Sequence, residues 1–230
     1  MARILVAEDE PSIRQLVAAI GVQMGWDVTL AVDGATAWAA FEAEPDAFGV
    51  VVTDIRMPRM SGLELIERIR TRSAVAIIVI SVLGADDQVV AGLEAGADDY
   101  VTKPIAPIVL TARIRSALRR AEGDAGKARE PLVFGDLAID VNSRTVTRRG
   151  DRIALTRTEM GVLGYLASNA GRVVAPAQIL GNVWGEAYEA ETEILRIAVL
   201  RLRRKIEDDP SDPRYVVTHV GLGYSLASAG

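Results

Sequence analysis

The sequence predicts two domains: an α/β domain built on a parallel sheet, followed by a smaller domain of short strands and three helices. Over the first half of the chain, buried apolar strands alternate with amphipathic helices five times, which is typical of a parallel sheet with helices on both faces. A stretch without any large apolar side chain follows and favours a flexible linker. We expect the α/β domain over residues 1–121, the linker over 122–131 and the second domain over 132–230.

The strand at residues 50–54 is the clearest element of the first domain. Its three consecutive valines suit a strand buried on both faces, and Pro58 forbids its continuation. Pro107 suits the first turn of a helix. The spacing of apolar residues predicts five helices, near residues 11–24, 35–44, 62–71, 86–95 and 106–121.

Polar side chains stand where the strands of this domain end. Asp54 ends the valine strand, Glu8 and Asp9 follow the first strand, and Ser81 and Lys103 end two others. Considered without the other strands, Asp54 could simply cap a turn. However, the carboxyl ends of parallel strands meet at one rim of the sheet, and ligands bind at this rim. Carboxylates gathered there repel unless a cation lies among them, and Mg²⁺ prefers oxygen ligands. With a lysine and a hydroxyl alongside, the pattern predicts a magnesium-dependent phosphoacceptor with Asp54 as nucleophile.

These motifs resemble those of a response-regulator receiver domain over residues 3–120. The residues that carry the resemblance are Glu8-Asp9, Asp54-x-x-Met57-Pro58, Gly62, Ser81, Gly96-Ala97-Asp98-Asp99-Tyr100 and Lys103-Pro104. The resemblance implies a flavodoxin-like (CheY-like) fold with a five-stranded parallel sheet, and a cis peptide bond between Lys103 and Pro104. It also implies that a sensor histidine kinase phosphorylates Asp54.

The same resemblance implies roles for the residues around Asp54. Mg²⁺ would be bound by Asp9, Asp54 and the backbone carbonyl of Arg56, with Glu8 reaching it through water. Ser81 and Lys103 would contact the phosphoryl group, and Tyr100 would change rotamer together with Ser81.

The second domain begins with short β segments at residues 132–134, 137–140, 145–147 and 153–155. Thr156-x-x-Glu159 is a capping box that opens a helix, Pro176 opens a second helix, and a third runs over about 190–207. A final hairpin completes the pattern of a winged helix-turn-helix, whose third helix would lie in the DNA major groove.

Charge qualifies the prediction of DNA binding. The net charge of −5 argues mildly against a nucleic-acid partner, yet residues 194–206 contain five basic side chains and no acidic one. A local basic stripe is enough for phosphate contacts, although such arginines could also form a merely solvated helix face. We predict Arg196, Ile197 and Arg201 as groove readers and Arg203 and Arg204 as clamps on the DNA backbone.

Residues 132–227 resemble the OmpR/PhoB effector domain. The motifs are Leu155-Thr156-x-x-Glu159, Val183-Trp184-Gly185, Leu202-Arg203-Arg204-Lys205-Ile206-Glu207 and Gly221-x-Gly223-Tyr224. Leu195-Arg196-Ile197 and the Asp-Pro segments after it look closest to the KdpE-like, potassium-responsive branch, which implies a kdp potassium-transport operon as a target. Arginines common in the wing of the family are replaced by Val220 and Ser225, so this wing is poor in phosphate contacts.

The family resemblance also implies a homodimer, formed on phosphorylation, that binds tandem half-sites. Its interface lies on the fourth helix, fifth strand and fifth helix of the receiver. Matched residue by residue, the retained ionic pairs are Asp99 with Arg113 and Glu94 with Arg115. A third family pair falls on Val89 and Val109, and we expect these valines to touch across the dimer because both charges are lost together.

Composition excludes several other classes of protein. The chain has no cysteine and one histidine, so a disulfide framework, a thiolate metal site and a histidine-rich metal site are excluded. It shows no signal peptide and no apolar run of about 20 residues that could span a membrane, so we expect a soluble, cytoplasmic protein. We do not expect an enzyme beyond its own phosphorylation and dephosphorylation.

Two alternatives to a phosphorylation-dependent regulator stay open. One is a magnesium-dependent phosphatase of similar topology, although the Asp-x-Asp motif of those enzymes reads Asp54-Ile55-Arg56 here. The other is a regulator that works without phosphate, which the complete set of Asp9, Asp54, Ser81 and Lys103 disfavours.

Overall fold

Five parallel strands form the central sheet of the N-terminal unit, Met1–Glu122. They are β1 (Arg3–Ala7), β2 (Asp27–Ala31), β3 (Val50–Asp54), β4 (Ala76–Val82) and β5 (Asp99–Lys103), in the order β2-β1-β3-β4-β5. The computed structural model describes residues 1–82, 86–122, 131–141 and 143–227. The predicted α/β fold with a five-stranded parallel sheet is confirmed.

Helices lie between the strands, each close to its predicted position. They are α1 (Pro11–Met24), α2 (Gly34–Ala43), α3 (Gly62–Arg70), α4 (Asp86–Ala95) and α5 (Pro107–Glu122). Local signals set their starts: Pro11 lies in the first turn of α1, and Ser61 and Glu64 form a capping box before α3. All five residues of β3 are buried, as the valine run predicts for a strand covered on both faces.

The C-terminal unit, Gly123–Gly230, contains an antiparallel sheet, three α-helices and a hairpin. Its elements are β6 (Leu132–Phe134), β7 (Leu137–Asp140), β8 (Thr145–Arg148), β9 (Asp151–Ile153), α6 (Arg157–Ser168), α7 (Pro176–Val183), α8 (Thr192–Ile206), β10 (Val216–His219) and β11 (Gly223–Leu226). A short 3₁₀ helix, Glu186–Tyr188, precedes α8. The predicted winged helix-turn-helix is confirmed, and the capping box of Thr156 and Glu159 is formed.

One strand of this unit differs from its prediction. The fourth β segment, expected at residues 153–155, lies at Asp151–Ile153. Arg149 and Gly150 form a tight turn with positive φ angles, which pairs Asp151 with Arg148 and moves the strand toward the turn. The two residues after Ile153 lead into the helix cap at Thr156 instead.

The predicted linker lies largely outside the described residues, which omit 123–130. Glu122 is the last residue of α5, and Pro131 precedes β6. The predicted domain boundaries therefore stay predictions. Among the described residues, no helix has the length and apolar character required to cross a membrane.

Candidate functional site

Asp54 lies at the carboxyl end of β3, held from both sides by backbone. The N–H of Arg56 donates to Asp54 Oδ1 at 2.9 Å. Gly62 packs so closely that a Cβ there would lie 1.9 Å from the carbonyl oxygen of Asp54, so only glycine fits. The N–H of Gly62 also donates to the carbonyl of Ile55 at 2.9 Å. Asp54 is thereby fixed in place, and the residue is 8% exposed.

Lys103 connects the acidic residues of this rim. Its Nζ lies 2.5 Å from Asp54 Oδ2 and 3.2 Å from Glu8 Oε1. Burial would lower the pKa of Lys103, but the hydrogen bonds and charges of Asp54 and Glu8 outweigh it, so this pKa is raised. Burial and the charge of Asp54 raise the pKa of Glu8 to about 7, although the N–H of Glu10 and Lys103 act in the opposite direction. The cluster therefore carries more negative charge than Lys103 alone relieves.

Two buried polar atoms of this rim have no hydrogen-bond partner within the part of the chain that the structure describes. They are Glu8 Oε2 and Ser81 Oγ, in residues that are 0% and 2% exposed. Because an unpaired buried polar atom costs free energy, both indicate a site prepared for a ligand. Lys103 and Pro104, beside them, are joined by the expected cis peptide bond.

The acidic residues fit the magnesium expected from the sequence. One carboxylate oxygen from each of Glu8, Asp9 and Asp54 lies within 4.8 Å of the others. Hard oxygen donors at this spacing suit a divalent cation that keeps several waters. Arg56, whose backbone carbonyl is the remaining predicted ligand, lies two residues after Asp54 in the sequence.

The predicted switch residue Tyr100 lies on β5, next to strand β4 that carries Ser81. Its side chain is partly exposed, and the guanidinium of Arg113 lies 5.5 Å from the centre of its ring. The change of its rotamer together with Ser81 stays a prediction.

In the C-terminal unit, two of the three predicted groove readers turn inward. Ile197 is 2% exposed and Arg201 is 8% exposed. Arg201 Nη2 lies 3.1 Å from Oε1 of Glu159, a fully buried carboxylate on α6. Side chains this buried cannot present an edge to a base pair, so the prediction that Ile197 and Arg201 read bases is wrong in this structure. Both residues hold α8 against the rest of the unit instead.

The other predicted DNA contacts lie at or near the surface of α8. Arg196 and Arg204 are exposed. Arg196 forms a bidentate ion pair with Glu193, one turn earlier, with N–O distances of 2.5 and 2.9 Å. Arg203 is partly buried and donates hydrogen bonds to the hairpin, to the carbonyl of Val216 and the hydroxyl of Thr218. This contact differs from its expected contact with DNA phosphates.

The predicted dimer residues also differ in exposure. Asp99 is fully buried and pairs with Arg113 of the same chain at 2.7 Å, so this predicted pair between two chains forms within one chain. Glu94 and Arg115 are exposed. Val109 is 40% exposed and Val89 is half-buried.

The roles of two glutamates in the C-terminal unit escaped the sequence reasoning. Glu159 was expected only to cap α6, but it also binds Lys205, 46 residues later, at 2.6 Å. Glu207 accepts hydrogen bonds from the backbone N–H groups of Arg214, Tyr215 and Val216. The sequence offers no local signal for these pairings, because the partners lie at least seven residues away along the chain.

Comparisons with known proteins agree with both units. Residues 4–115 match the response regulator receiver domain family, and residues 150–226 match the family described as transcriptional regulatory protein, C terminal. The sensory transduction protein RegX3 of Mycolicibacterium smegmatis is 40% identical over 228 residues, which cover 98% of this chain and 99% of RegX3. The transcriptional regulatory protein KdpE of Mycobacterium tuberculosis is 39% identical over 226 residues, with 97% and 98% coverage.

A solved structure is similar over the full length as well. The response regulator DrrB of Thermotoga maritima, described as an OmpR/PhoB homolog, is 37% identical, with a TM-score of 0.51 and coverage of 99% of this chain and 100% of that chain. Identity at this level over nearly all residues, with both domain families matched in order, shows that the chain belongs to the OmpR/PhoB-type two-component response regulators, in which a receiver domain precedes a DNA-binding domain.

Proposed function

We propose that this protein is a transcription factor that a sensor histidine kinase activates by phosphorylating Asp54. The observation that carries the proposal is the cluster at the carboxyl rim of the parallel sheet. There Lys103 pairs with Asp54 and Glu8, while the Ser81 hydroxyl and one Glu8 oxygen have no partner among the described residues. Such a cluster provides a nucleophile, a cation for the transferred group and a donor for its oxygens.

Magnesium fits the same cluster. Asp9, Asp54 and the carbonyl of Arg56 would hold the ion directly, and Glu8 would hold it through water. The ion supplies positive charge that reduces the repulsion between these carboxylates and the incoming phosphoryl group. The raised pKa of Glu8 supports this assignment, because a carboxyl in excess negative charge gains most from a cation.

The chain's own residues carry out the rest of the reaction. A carboxylate oxygen of Asp54 attacks the phosphorus of the donor, and the bond from phosphorus to the donor's leaving group breaks. Lys103 then donates its hydrogen bond to a phosphoryl oxygen instead of Asp54. The Ser81 hydroxyl donates to a second phosphoryl oxygen. Tyr100, on the strand beside Ser81, changes rotamer as Ser81 moves.

The output is DNA binding through α8. Arg196, near the exposed N-terminal end of the helix, reads base edges in the major groove, and Arg204 contacts the DNA backbone. Ile197 and Arg201 have no part in this contact because they are buried.

The phosphorylated protein forms a homodimer through α4, β5 and α5 and binds tandem half-sites about one helical turn apart. Exposed Glu94 and Arg115 provide ionic contacts between the two chains, and Val89 and Val109 meet as an apolar contact. The ion pair of Asp99 on β5 and Arg113 on α5 stays within each chain and holds these two elements of the interface together.

A kdp potassium-transport operon is one candidate target. The local motifs around Arg196 and the 39% identity to KdpE of Mycobacterium tuberculosis support it. The 40% identity to RegX3 leaves other targets equally open. Residues 1–121 and 132–230 would act as the two domains, with 122–131 as their linker, in the cytoplasm.

A magnesium-dependent phosphatase is the second candidate function. Its acidic cluster and metal would be the same, but Arg56 replaces the second acid of the Asp-x-Asp motif that such enzymes use. A regulator independent of phosphate would have no need of the unpaired Ser81 and Glu8 atoms. Both observations favour the phosphorylation-dependent regulator.

Selection of DNA from a random library tests the proposal. The full-length protein is incubated with library DNA, Mg²⁺ and acetyl phosphate, and bound DNA is sequenced over several rounds. We expect enrichment of a tandem-repeat site that requires both Mg²⁺ and acetyl phosphate. Equal enrichment without acetyl phosphate would favour the phosphate-independent regulator, and hydrolysis of a free phosphomonoester would favour the phosphatase.

A further inference from the structure

The outer edge of β10 is bonded to side chains of α8 rather than to another strand. Strands β10 and β11 form a two-stranded sheet, and an edge strand exposes backbone groups that need partners. Arg203 Nε and Nη2 donate to the carbonyl oxygen of Val216 at 2.9 and 2.6 Å. Glu207 Oε1 accepts the N–H of Val216 at 2.9 Å. Both backbone polar groups of Val216 are therefore satisfied by α8.

Further bonds extend this contact along the hairpin. Arg203 Nη2 donates to the hydroxyl of Thr218 at 2.7 Å. Glu207 also accepts the N–H groups of Arg214 at 2.8 Å and Tyr215 at 2.9 Å. Arg203 lies in the last turn of α8 and Glu207 directly follows the helix as its C-cap, so both side chains are at the C-terminal end of α8. We refer to these two side chains as the α8–β10 anchor.

Burial makes the anchor costly to release. Val216 is 0% exposed and Glu207 is 7% exposed, and Arg203 is partly buried. Burial lowers the pKa of Arg203, an effect that the charges of Tyr224 and Glu207 oppose. If Arg203 turned outward to a phosphate, the buried carbonyl of Val216 would lose its partner. The contacts therefore favour Arg203 remaining on the hairpin when DNA binds.

We propose that Arg203 is a positioning residue that fixes the hairpin on α8 and thereby sets the sequence specificity of DNA binding. The inference rests on the proposed function, in which α8 enters the major groove. Base contacts require placement within a fraction of an ångström, whereas phosphate attraction tolerates displacement. A loosened hairpin would leave the C-terminal end of α8 without these bonds, so α8 could shift within the groove. Specific binding would then weaken, and non-specific binding, which rests on surface cations, would not.

Arg203→Gln and its neighbour Arg204→Gln form a matched pair for the test. Each removes one positive charge from the same turn of α8, but only Arg203 bonds Val216 and Thr218. The full-length proteins, activated with acetyl phosphate and Mg²⁺, are titrated with two DNAs at several salt concentrations. One DNA is the site that the wild type selects from a random library, and the other has the same bases in shuffled order.

We expect Arg203→Gln to weaken binding to the selected site about ten-fold, the scale of losing one strong anchoring interaction. Its affinity for shuffled DNA and its slope of log K against log salt should match the wild type. Arg204→Gln should weaken both DNAs alike and reduce the slope by about 0.9, as for the loss of one phosphate contact. Arg203→Lys keeps the charge but loses the planar pair of donors, so it should recover only part of the specificity.

Two results would overturn the inference. If Arg203→Gln weakens both DNAs alike and reduces the salt slope by about 0.9, Arg203 is a phosphate contact. If Arg203→Gln and Arg203→Lys both keep the wild-type ratio of specific to shuffled binding, the anchor has no role in specificity. Arg203→Lys provides this answer even if Arg203→Gln melts too low to be assayed. A wild type that enriches no DNA sequence would instead contradict the proposed function.

Discussion

Glu8 in the receiver unit and Glu159 in the C-terminal unit are both 0% exposed, yet their surroundings are opposite. Glu159 faces a cation at each oxygen: Arg201 lies 3.1 Å from Oε1, as an ion pair without a hydrogen bond, and Lys205 lies 2.6 Å from Oε2. What distinguishes the two sites is therefore the number of cations, two for one carboxylate around Glu159. Glu8 shares the single cation Lys103 with Asp54, and its Oε2 has no hydrogen-bond partner among the described residues.

The difference separates two uses of a buried charge. Around Glu159 the charge is compensated within the chain, so the arrangement is structural and connects α6 to α8. Around Glu8 one cation serves two carboxylates, and burial together with the charge of Asp54 raises the pKa of Glu8 to about 7. In the proposed function, a cation and a phosphoryl group complete this cluster. Four predictions test this contrast.

The largest expected effect is a complete loss of phosphorylation in Asp54→Asn. An amide is not a nucleophile for phosphoryl transfer, and the variant should stay folded because the change is nearly isosteric. Mass spectrometry after incubation with acetyl phosphate and Mg²⁺ measures the added phosphoryl group, and circular dichroism checks the fold. Asp46→Asn, at an exposed aspartate of the same unit, is the matched control and should be phosphorylated normally. A phosphoryl adduct on Asp54→Asn would show that another residue is the acceptor.

The next largest effect is on stability, in the C-terminal unit. Glu159→Gln leaves Arg201, which is 8% exposed, without its buried counter-charge. Breaking one side of a buried pair costs about 3–5 kcal/mol of unfolding free energy. Urea unfolding followed by circular dichroism measures it. The control Glu189→Gln changes an exposed glutamate of the same unit and should cost less than about 0.5 kcal/mol. A loss below about 1 kcal/mol for Glu159→Gln would mean that Arg201 finds another partner and that the pairing is not structural.

A third prediction extends the argument about unpaired charge to the proposed dimer. Val89→Lys should weaken dimerisation of the activated protein by about ten-fold, because an ammonium would face Val109 of the second chain without a partner. Adding Val109→Glu should restore it by pairing the two charges. Sedimentation in the presence of beryllofluoride, which stands in for the phosphoryl group, measures the association.

Leu30→Lys is the matched control for the dimer test. Leu30 is 43% exposed on β2, at the edge of the sheet opposite β5, and the change should leave association unaltered. If Val89→Lys dimerises like this control, the two valines do not meet across the dimer.

The last prediction concerns Glu8→Gln, whose effect on stability depends on pH. The pKa of Glu8 is about 7 in the folded chain against 4.5 ordinarily, so the unfolded chain loses this proton first. Without Mg²⁺, the wild type should therefore lose stability as pH rises from about 4.5 to about 7. Glu8→Gln should lack this loss. The two proteins should differ by less than about 1 kcal/mol below pH 4.5, and the variant should be the more stable one above pH 7.

Unfolding curves in a Mg²⁺-free buffer at several pH values measure the effect of Glu8. The difference between variant and wild type isolates Glu8 from every other titrating group. A difference that does not change with pH would mean that Glu8 has the same pKa in the folded and the unfolded chain, and the contrast with Glu159 would then lose its electrostatic basis.

The sequence alone was sufficient to predict the acidic cluster at the rim of the parallel sheet, because its signals are local and its topology is regular. The valine run of β3 and the positions of α1 to α5 follow from short-range periodicity and capping. Once the strands are parallel, their carboxyl ends meet, so Glu8, Asp9 and Asp54 come together without further information. The capping box of Thr156 and Glu159 was predictable for the same reason, since its atoms are three residues apart.

Only the tertiary structure decided which side chains of α8 face outward. The spacing of arginines along this helix is the same whichever face is buried, and that face is set by residues far away in the chain. Arg201 turns inward because Glu159 on α6 lies there, and Arg203 turns to the hairpin because the edge of β10 needs partners. Likewise Asp99 pairs within its own chain because Arg113 on α5 packs against it. The burial of a charge depends on its partners, and in this protein those partners come from different elements of the chain.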